Sequence, residues 1–169
     1  MRLPVRTLTA EAFEPFGRVI EPPRRERDAA GPGWSWWAET VLLEGDERAW
    51  GVGYLDLVPA EPRVDWAERH LRTLEAIVPL DGSCLVYVAP PDHPEEPGRL
   101  PSFDRFQVFR VSPGSGVVMD AAVWHGAPLA DGGPARAIVL LLEGTGREDV
   151  TMVRFEDSPL EIDTATQED

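Results

Sequence analysis

The chain reads as a mainly β protein, an antiparallel barrel or jelly roll with one short helix near its start. Three observations carry that expectation. Apolar residues recur in short β-branched or alternating runs, and glycine, proline and aspartate clusters separate those runs. One stretch near the amino terminus has the start and stop signals of a helix. With 169 residues, 43% of them hydrophobic and 27% charged, the chain has the size and composition of one domain that buries a core without needing a staple.

The elements follow in order. In LTAEAFEPFGRVIE, Thr9 can cap a short helix, Glu11 sits in its first turn near the positive end of the dipole, and Gly17 can stop it. Strands are then expected at ETVLLE, WGVGYLDLV, EAIVPL, SCLVYVA, RFQVFRV, GVVMD, RAIVLLLE and VTMVRF, with turns at Asp81 and Gly82, PGSG and DGGP. APPDHPEEPGRLPSF is too rich in proline for a central strand and reads as a long loop, as does ERDAAGPGWSWW. Within the latter, Trp34 to Trp37 suit an aromatic lid, a subunit contact or a satellite hydrophobic cluster. Residues 1–160 form the expected domain and 161–169 an acidic, flexible tail.

Composition narrows the partners. A net charge of −14 repels a phosphate backbone, and no stretch clusters arginine with aromatics, so nucleic acid is excluded as an expected partner. All sixteen cations are arginine, and there is neither lysine nor asparagine, which reads as the codon usage of a GC-rich genome. The single cysteine, Cys84, lies in the apolar run SCLVYVA, where it packs as a small hydrophobe and suits a reducing compartment. The opening MRLPVRTLTAEAF has no uninterrupted apolar segment, and no run is long enough to cross a bilayer. The expected location is the cytoplasm, with no membrane partner.

The chemistry is concentrated in AERHLRTLEAIVPLDG, residues 67 to 82. On an extended strand, side chains two apart share a face, so Glu68 and His70 project together while Arg69 points away. One residue separates Glu68 from His70, four separate His70 from Glu75, and six separate Glu75 from Gly82. That is the spacing of the first cupin motif, with glutamate where a histidine normally stands. In PGSGVVMDAAVWHGAPL, His125 falls where the second motif places its last histidine, counted from Gly114, while Asp120 and Ala122 replace the usual proline and glycine. The chain therefore resembles a cupin, a double-stranded β-helix or jelly-roll barrel in which the two motifs face one pocket.

The resemblance sharpens on three pieces: the AFxPFGxVI opening, Glu-Arg-His before the turn at Gly82, and Val-Trp-His before Pro-Leu. In order and spacing, over roughly residues 3 to 155, they resemble the ureidoglycolate lyase family. The resemblance implies a cytoplasmic, cupin-like homodimer that splits ureidoglycolate into glyoxylate and urea in the breakdown of purines and allantoin. It implies no organic cofactor, and some members are described with a divalent metal, nickel among them. Departures occur at Glu75, usually Gln, and at Val118, Met119 and Asp120, usually polar and expected to face the pocket. They leave open a lyase or isomerase for another small hydroxy acid, or a non-catalytic cupin that binds a ligand.

Loss of urea from a carbinolamide requires a proton to leave the hydroxyl and another to reach the departing nitrogen. His70 and His125 titrate near neutrality and suit either role. Glu68 or Glu75 can hold a histidine's tautomer and raise its basicity, and with a metal bound Asp120 is a candidate acid. With a metal, Glu68, His70, Glu75 and His125 form a donor set suited to Ni²⁺, Mn²⁺, Fe²⁺ or Zn²⁺.

Overall fold

The computed structural model describes residues 1–93 and 95–168. In chain order the strands are β1 (Arg2–Thr7), β2 (Gly17–Ile20), β3 (Ala29–Gly31), β4 (Trp34–Trp36), β5 (Trp50–Leu57), β6 (Arg63–Val64), β7 (Trp66–Arg69) and β8 (Glu75–Asp81). They continue as β9 (Cys84–Ala89), β10 (Gln107–Val111), β11 (Gly116–Met119), β12 (Trp124–His125), β13 (Leu129–Ala130), β14 (Ala135–Leu142), β15 (Thr151–Arg154) and β16 (Leu160–Glu168). Two single-turn helices, α1 (Ala10–Phe13) and α2 (Thr145–Glu148), interrupt them.

One sheet has the order β15-β7-β12-β9-β10-β1-β16-β6, with β13 also on β9, and the other has the order β2-β11-β8-β14-β5. The fold class is the one expected: mainly β, built on two principal sheets, with a short helix after the first strand. Thr9 caps α1 by accepting from the Ala12 N–H at 3.1 Å. In β9, Cys84, Val86 and Val88 point between the sheets, where they meet Phe13, Ile77, Phe109 and Met119. Leu85, Tyr87 and Ala89 point the other way, into a second cluster with Leu3, Val5, Phe106, Trp124 and Leu160. Strand β9 is therefore buried on both faces, which is why SCLVYVA is apolar throughout instead of alternating. Burial lifts the Cys84 thiol to about 12, with the Asp131 charge adding to the effect, so it is an inert packing group. At the β8–β9 turn Gly82 has φ 62°, and a β-carbon there would collide with the Pro134 carbonyl.

Three expectations differ from the structure. ETVLLE is irregular, not a strand: Glu39 has φ 50°, and Val41 and Leu43 pack on Leu74, Ala76 and Val118 without strand pairing. Part of the expected loop ERDAAGPGWSWW forms the β3–β4 hairpin, on which Trp34 and Trp36 are exposed. The segment expected as a loose tail is β16, which pairs in parallel with β1 and antiparallel with β6, while residue 169 lies outside the described residues. Leu160 and Ile162 alternate into the core beside Leu3 and Val64, and that burial outweighs the polar residues around them. Leu160→Ala should therefore cost about 2–5 kcal/mol, as expected for a fully packed leucine. The shift in the midpoint of urea unfolding checks it.

Candidate active site

The end of β7 and the two residues of β12 set the site. His125 lies directly across from Glu68 in the β7–β12 pair, and β12 is held on its other side by β9. Strand alternation puts Glu68 on the inner face of β7 and Arg69, fully buried, on the outer face. His70 follows at once, and its ring lies 5.1 Å from that of His125, centroid to centroid. Glu75 comes from the other sheet, at the first position of β8. The structure thus brings Glu68, His70, Glu75 and His125 together where the two sheets meet.

Main-chain contacts fix both imidazoles in one tautomer. Nδ1 of His70 donates to the Asp149 carbonyl at 2.7 Å, and Nδ1 of His125 donates to the Val123 carbonyl at 2.9 Å. A carbonyl only accepts, so the proton sits on Nδ1 and each Nε2 faces inward. Both Nε2 atoms lie 3.3 Å from the same oxygen of Glu75. His125 Nε2 is nonetheless buried without an aligned hydrogen bond. Asp149 does more than accept from His70, because its carboxylate also takes the N–H groups of Leu71 at 3.0 Å and Arg72 at 2.9 Å. It thereby holds the turn that leaves β7. Sequence reading missed this residue, which directly follows α2 and has no motif spacing to single it out.

A cavity of about 360 Å³ opens above the cluster, with Glu68, His70 and Glu75 on its floor and walls from Tyr54, Leu55, Val139, Leu141 and Met152. Among the described residues no arginine lines it. The donor set fits a divalent ion. One ligand atom each from Glu68, His70 and His125 lies within 4.8 Å of the others, Glu75 sits between the imidazoles, and the buried Nε2 of His125 has no aligned partner of its own.

The other candidates lie elsewhere. Asp120 does not join the cluster: its exposed side chain pairs with Arg18 at 3.3 Å, outside the cavity. The backbone explains this, since Asp120 N–H is tied to the Phe16 carbonyl and Ala122 turns the chain with φ 67°. Val118 and Met119 do not face the pocket either. Met119 fills the core between the sheets and Val118 packs behind the second sheet on Leu74 and Ala76. Their apolar character therefore leaves the cavity unchanged.

A family model described as ureidoglycolate lyase matches residues 1–163. The ureidoglycolate lyase of Rhodobacter capsulatus is 36% identical over 154 residues, covering 86% of this chain and 89% of the relative. Ureidoglycolate lyase 2 of Rhizobium meliloti is 30% identical over 134 residues, covering 73% and 76%. Among solved structures, the sugar 3,4-ketoisomerase QdtA of Thermoanaerobacterium thermosaccharolyticum is similar with a TM-score of 0.48 and 16% identity, covering 79% of this chain and 85% of that one.

The charges at the site are coupled. Burial would raise Glu75, but the His125 and His70 imidazoles outweigh it and hold the carboxyl at about 2, down from 4.5. Burial likewise opposes charge on His125, but the Glu75 carboxylate beside it lifts the imidazole above its ordinary 6.5. The signs give a window for the metal-free protein. Stability from Glu75 is complete above pH 4.5 and lost as pH falls towards 2. Stability from His125 is complete below pH 6.5 and lost as pH rises through its folded value. Chelator-treated protein should accordingly be most stable between pH 4.5 and 6.5, and His125→Gln should flatten the decline above that window. Urea unfolding across a pH series measures both.

Proposed function

This chain belongs to the ureidoglycolate lyase family, and from that premise we propose that it eliminates urea from ureidoglycolate to give glyoxylate at the cluster of Glu68, His70, Glu75 and His125. The observation that carries the reading is a pair of imidazoles with inward Nε2 atoms around one carboxylate, Glu75, which with His70 floors a cavity lined by no arginine among the described residues. The substrate is itself an anion, so a site with two carboxylates and no lining cation needs positive charge from elsewhere. His70, Glu75 and His125 would hold a divalent ion, with a ligand atom of Glu68 also within 4.8 Å of those of both imidazoles. Bound there, such an ion would anchor the substrate carboxylate and lower the pKa of its hydroxyl.

The rest of the work falls to the chain. Glu68 is only half-buried and opens on the cavity, so it is the carboxylate free to meet substrate. It takes the hydroxyl proton as the carbonyl of glyoxylate forms and the carbon–nitrogen bond breaks, then returns that proton to the departing nitrogen of urea. The hydroxyl oxygen and that nitrogen share one carbon, so a single carboxyl can serve both. The apolar walls exclude water and strengthen these charges. The core positions of Val118 and Met119 support the family substrate over another hydroxy acid, because neither side chain shapes the cavity.

Two substitutions separate the roles. Glu68→Gln should lower kcat by about 10²- to 10⁴-fold while metal content is retained. Glu75→Gln should weaken metal binding by about 10- to 100-fold. Elemental analysis and urea release measured on both variants check this; loss of metal from Glu68→Gln would exchange the two assignments. The protein is further proposed to act as a cytoplasmic homodimer, supported by the exposed apolar side chains of Trp34, Trp36, Val52 and Tyr54. Light scattering should give twice the mass of one chain, and a monomer at micromolar concentration would refute that.

A further inference from the structure

Arg69 stands between Glu68 and His70 in sequence, yet its side chain is fully buried on the opposite face of β7. Its guanidinium donates to four main-chain carbonyls of one loop: Nε to Pro97 at 3.1 Å, Nη1 to Asp92 at 2.9 Å, and Nη2 to His93 at 3.1 Å and Glu96 at 3.2 Å. No carboxylate balances it among the described residues. Two of the four contact residues carry carboxylates, and each is given to another arginine instead: Asp92 to Arg105 at 3.2 Å and Glu96 to Arg99 at 2.7 Å. The guanidinium also lies 4.5 Å from the centroid of the Trp124 ring, which is itself fully buried.

The placement is what matters. Glu68 and His125 are cross-strand partners on the inner face, so Arg69 and Trp124, each one residue away, back them on the outer face. Leaving a cation dry among carbonyls is costly, and a loop needing only an anchor could use a neutral donor. Arginine presents five N–H groups in a rigid fork that makes four bonds here, while the guanidinium carbon lies over the indole. His93 adopts φ 55°, a strained value for a non-glycine residue, and its carbonyl is one of the four acceptors.

We propose that Arg69 is a positioning residue, clamping Asp92, His93, Glu96, Pro97 and the Trp124 ring into one rigid backing that fixes the inward set of Glu68, His70 and His125. The inference rests on the reading of those residues as the active site. Lysine keeps the charge but not the fork, so Arg69→Lys in the full chain is the test. Amide exchange at Asp92, His93, Glu95 and Glu96 should rise. Mn²⁺ affinity by calorimetry should fall about 10- to 100-fold, as for other outer contacts to metal-holding residues. The ¹⁵N imidazole signals of His70 and His125 should lose their uniform Nδ1–H signature, and kcat should fall more than KM rises. A variant with faster loop exchange and a lower melting point, but with native Mn²⁺ affinity and imidazole signals, would make the clamp merely structural and overturn the proposal.

If Arg69→Lys does not fold, Trp124→Phe keeps the guanidinium bonds and shrinks the stacking face. It should move the same readouts in the same direction by a smaller factor, and unchanged imidazole signals there would equally overturn the proposal. Native protein that binds no Mn²⁺ would defeat the metal reading of the site, and the imidazole signals would then decide the clamp alone.

Discussion

Two imidazoles that turn the same nitrogen towards one carboxylate set the terms for the rest of this molecule. Each Nδ1–H is spent on a main-chain carbonyl, Asp149 for His70 and Val123 for His125, so neither ring can flip without stranding a buried donor. Those carbonyls must in turn be held. Asp149 is fixed because its carboxylate takes two N–H groups of the turn after β7, and Val123 because its chain is tied back to Asp120 and enters β12. The shortness of β12 is part of this arrangement: two residues suffice to set His125 against Glu68 before the chain leaves the sheet.

Glu75 depends on a different part of the fold. It opens β8 in the second sheet, paired with Met119 of β11 and one step from Ala76, so its height above the imidazoles is set by the packing of one sheet on the other. Phe13, Phe16 and Phe109 supply that spacing, with ring centroids 5.2 Å to 5.9 Å apart in edge and tilted contacts. The α1 turn, distant from the chemistry in sequence, thus bears on the distance between a carboxylate and two histidines. A core that relaxed by a few tenths of an ångström would alter the charge coupling before it altered the fold.

Much of this was legible because strand geometry has a period of two. That rule alone placed Glu68 and His70 together and Arg69 behind them, and the spacing of the second motif added His125. It failed where backbone conformation overrides spacing: Asp120 sits at a motif position, but a left-handed Ala122 and a bond to the Phe16 carbonyl turn it out to Arg18. It failed for Val118 and Met119 because alternation says which residues share a face, not which face meets the cavity. Strands β1 and β16 were missed since their partners are remote in sequence and their composition is mixed. Leu160 and Ile162 count only once Leu3 and Val64 are known to lie beside them. Asp149 carries no spacing signal, because it works through its own carbonyl as much as through its carboxylate.

The choice of glutamate at position 75, where the family resemblance leads one to expect glutamine, acts in opposite directions on the same site. An anionic oxygen near two imidazole nitrogens adds charge for a dication, which favours binding. The same oxygen favours a proton on His125, lifting that imidazole above its ordinary value, and a protonated Nε2 has no lone pair to offer. With glutamine, both effects would vanish together. The site of this chain therefore keeps Glu75 ionised, held at about 2, beside an imidazole whose hold on a proton that carboxylate strengthens. A divalent ion held here would meet that proton at the same nitrogen: above the folded value of His125 the added charge of glutamate would favour the ion, and below it the proton would take a share of that advantage, so glutamate ties the site to pH more steeply than an amide could.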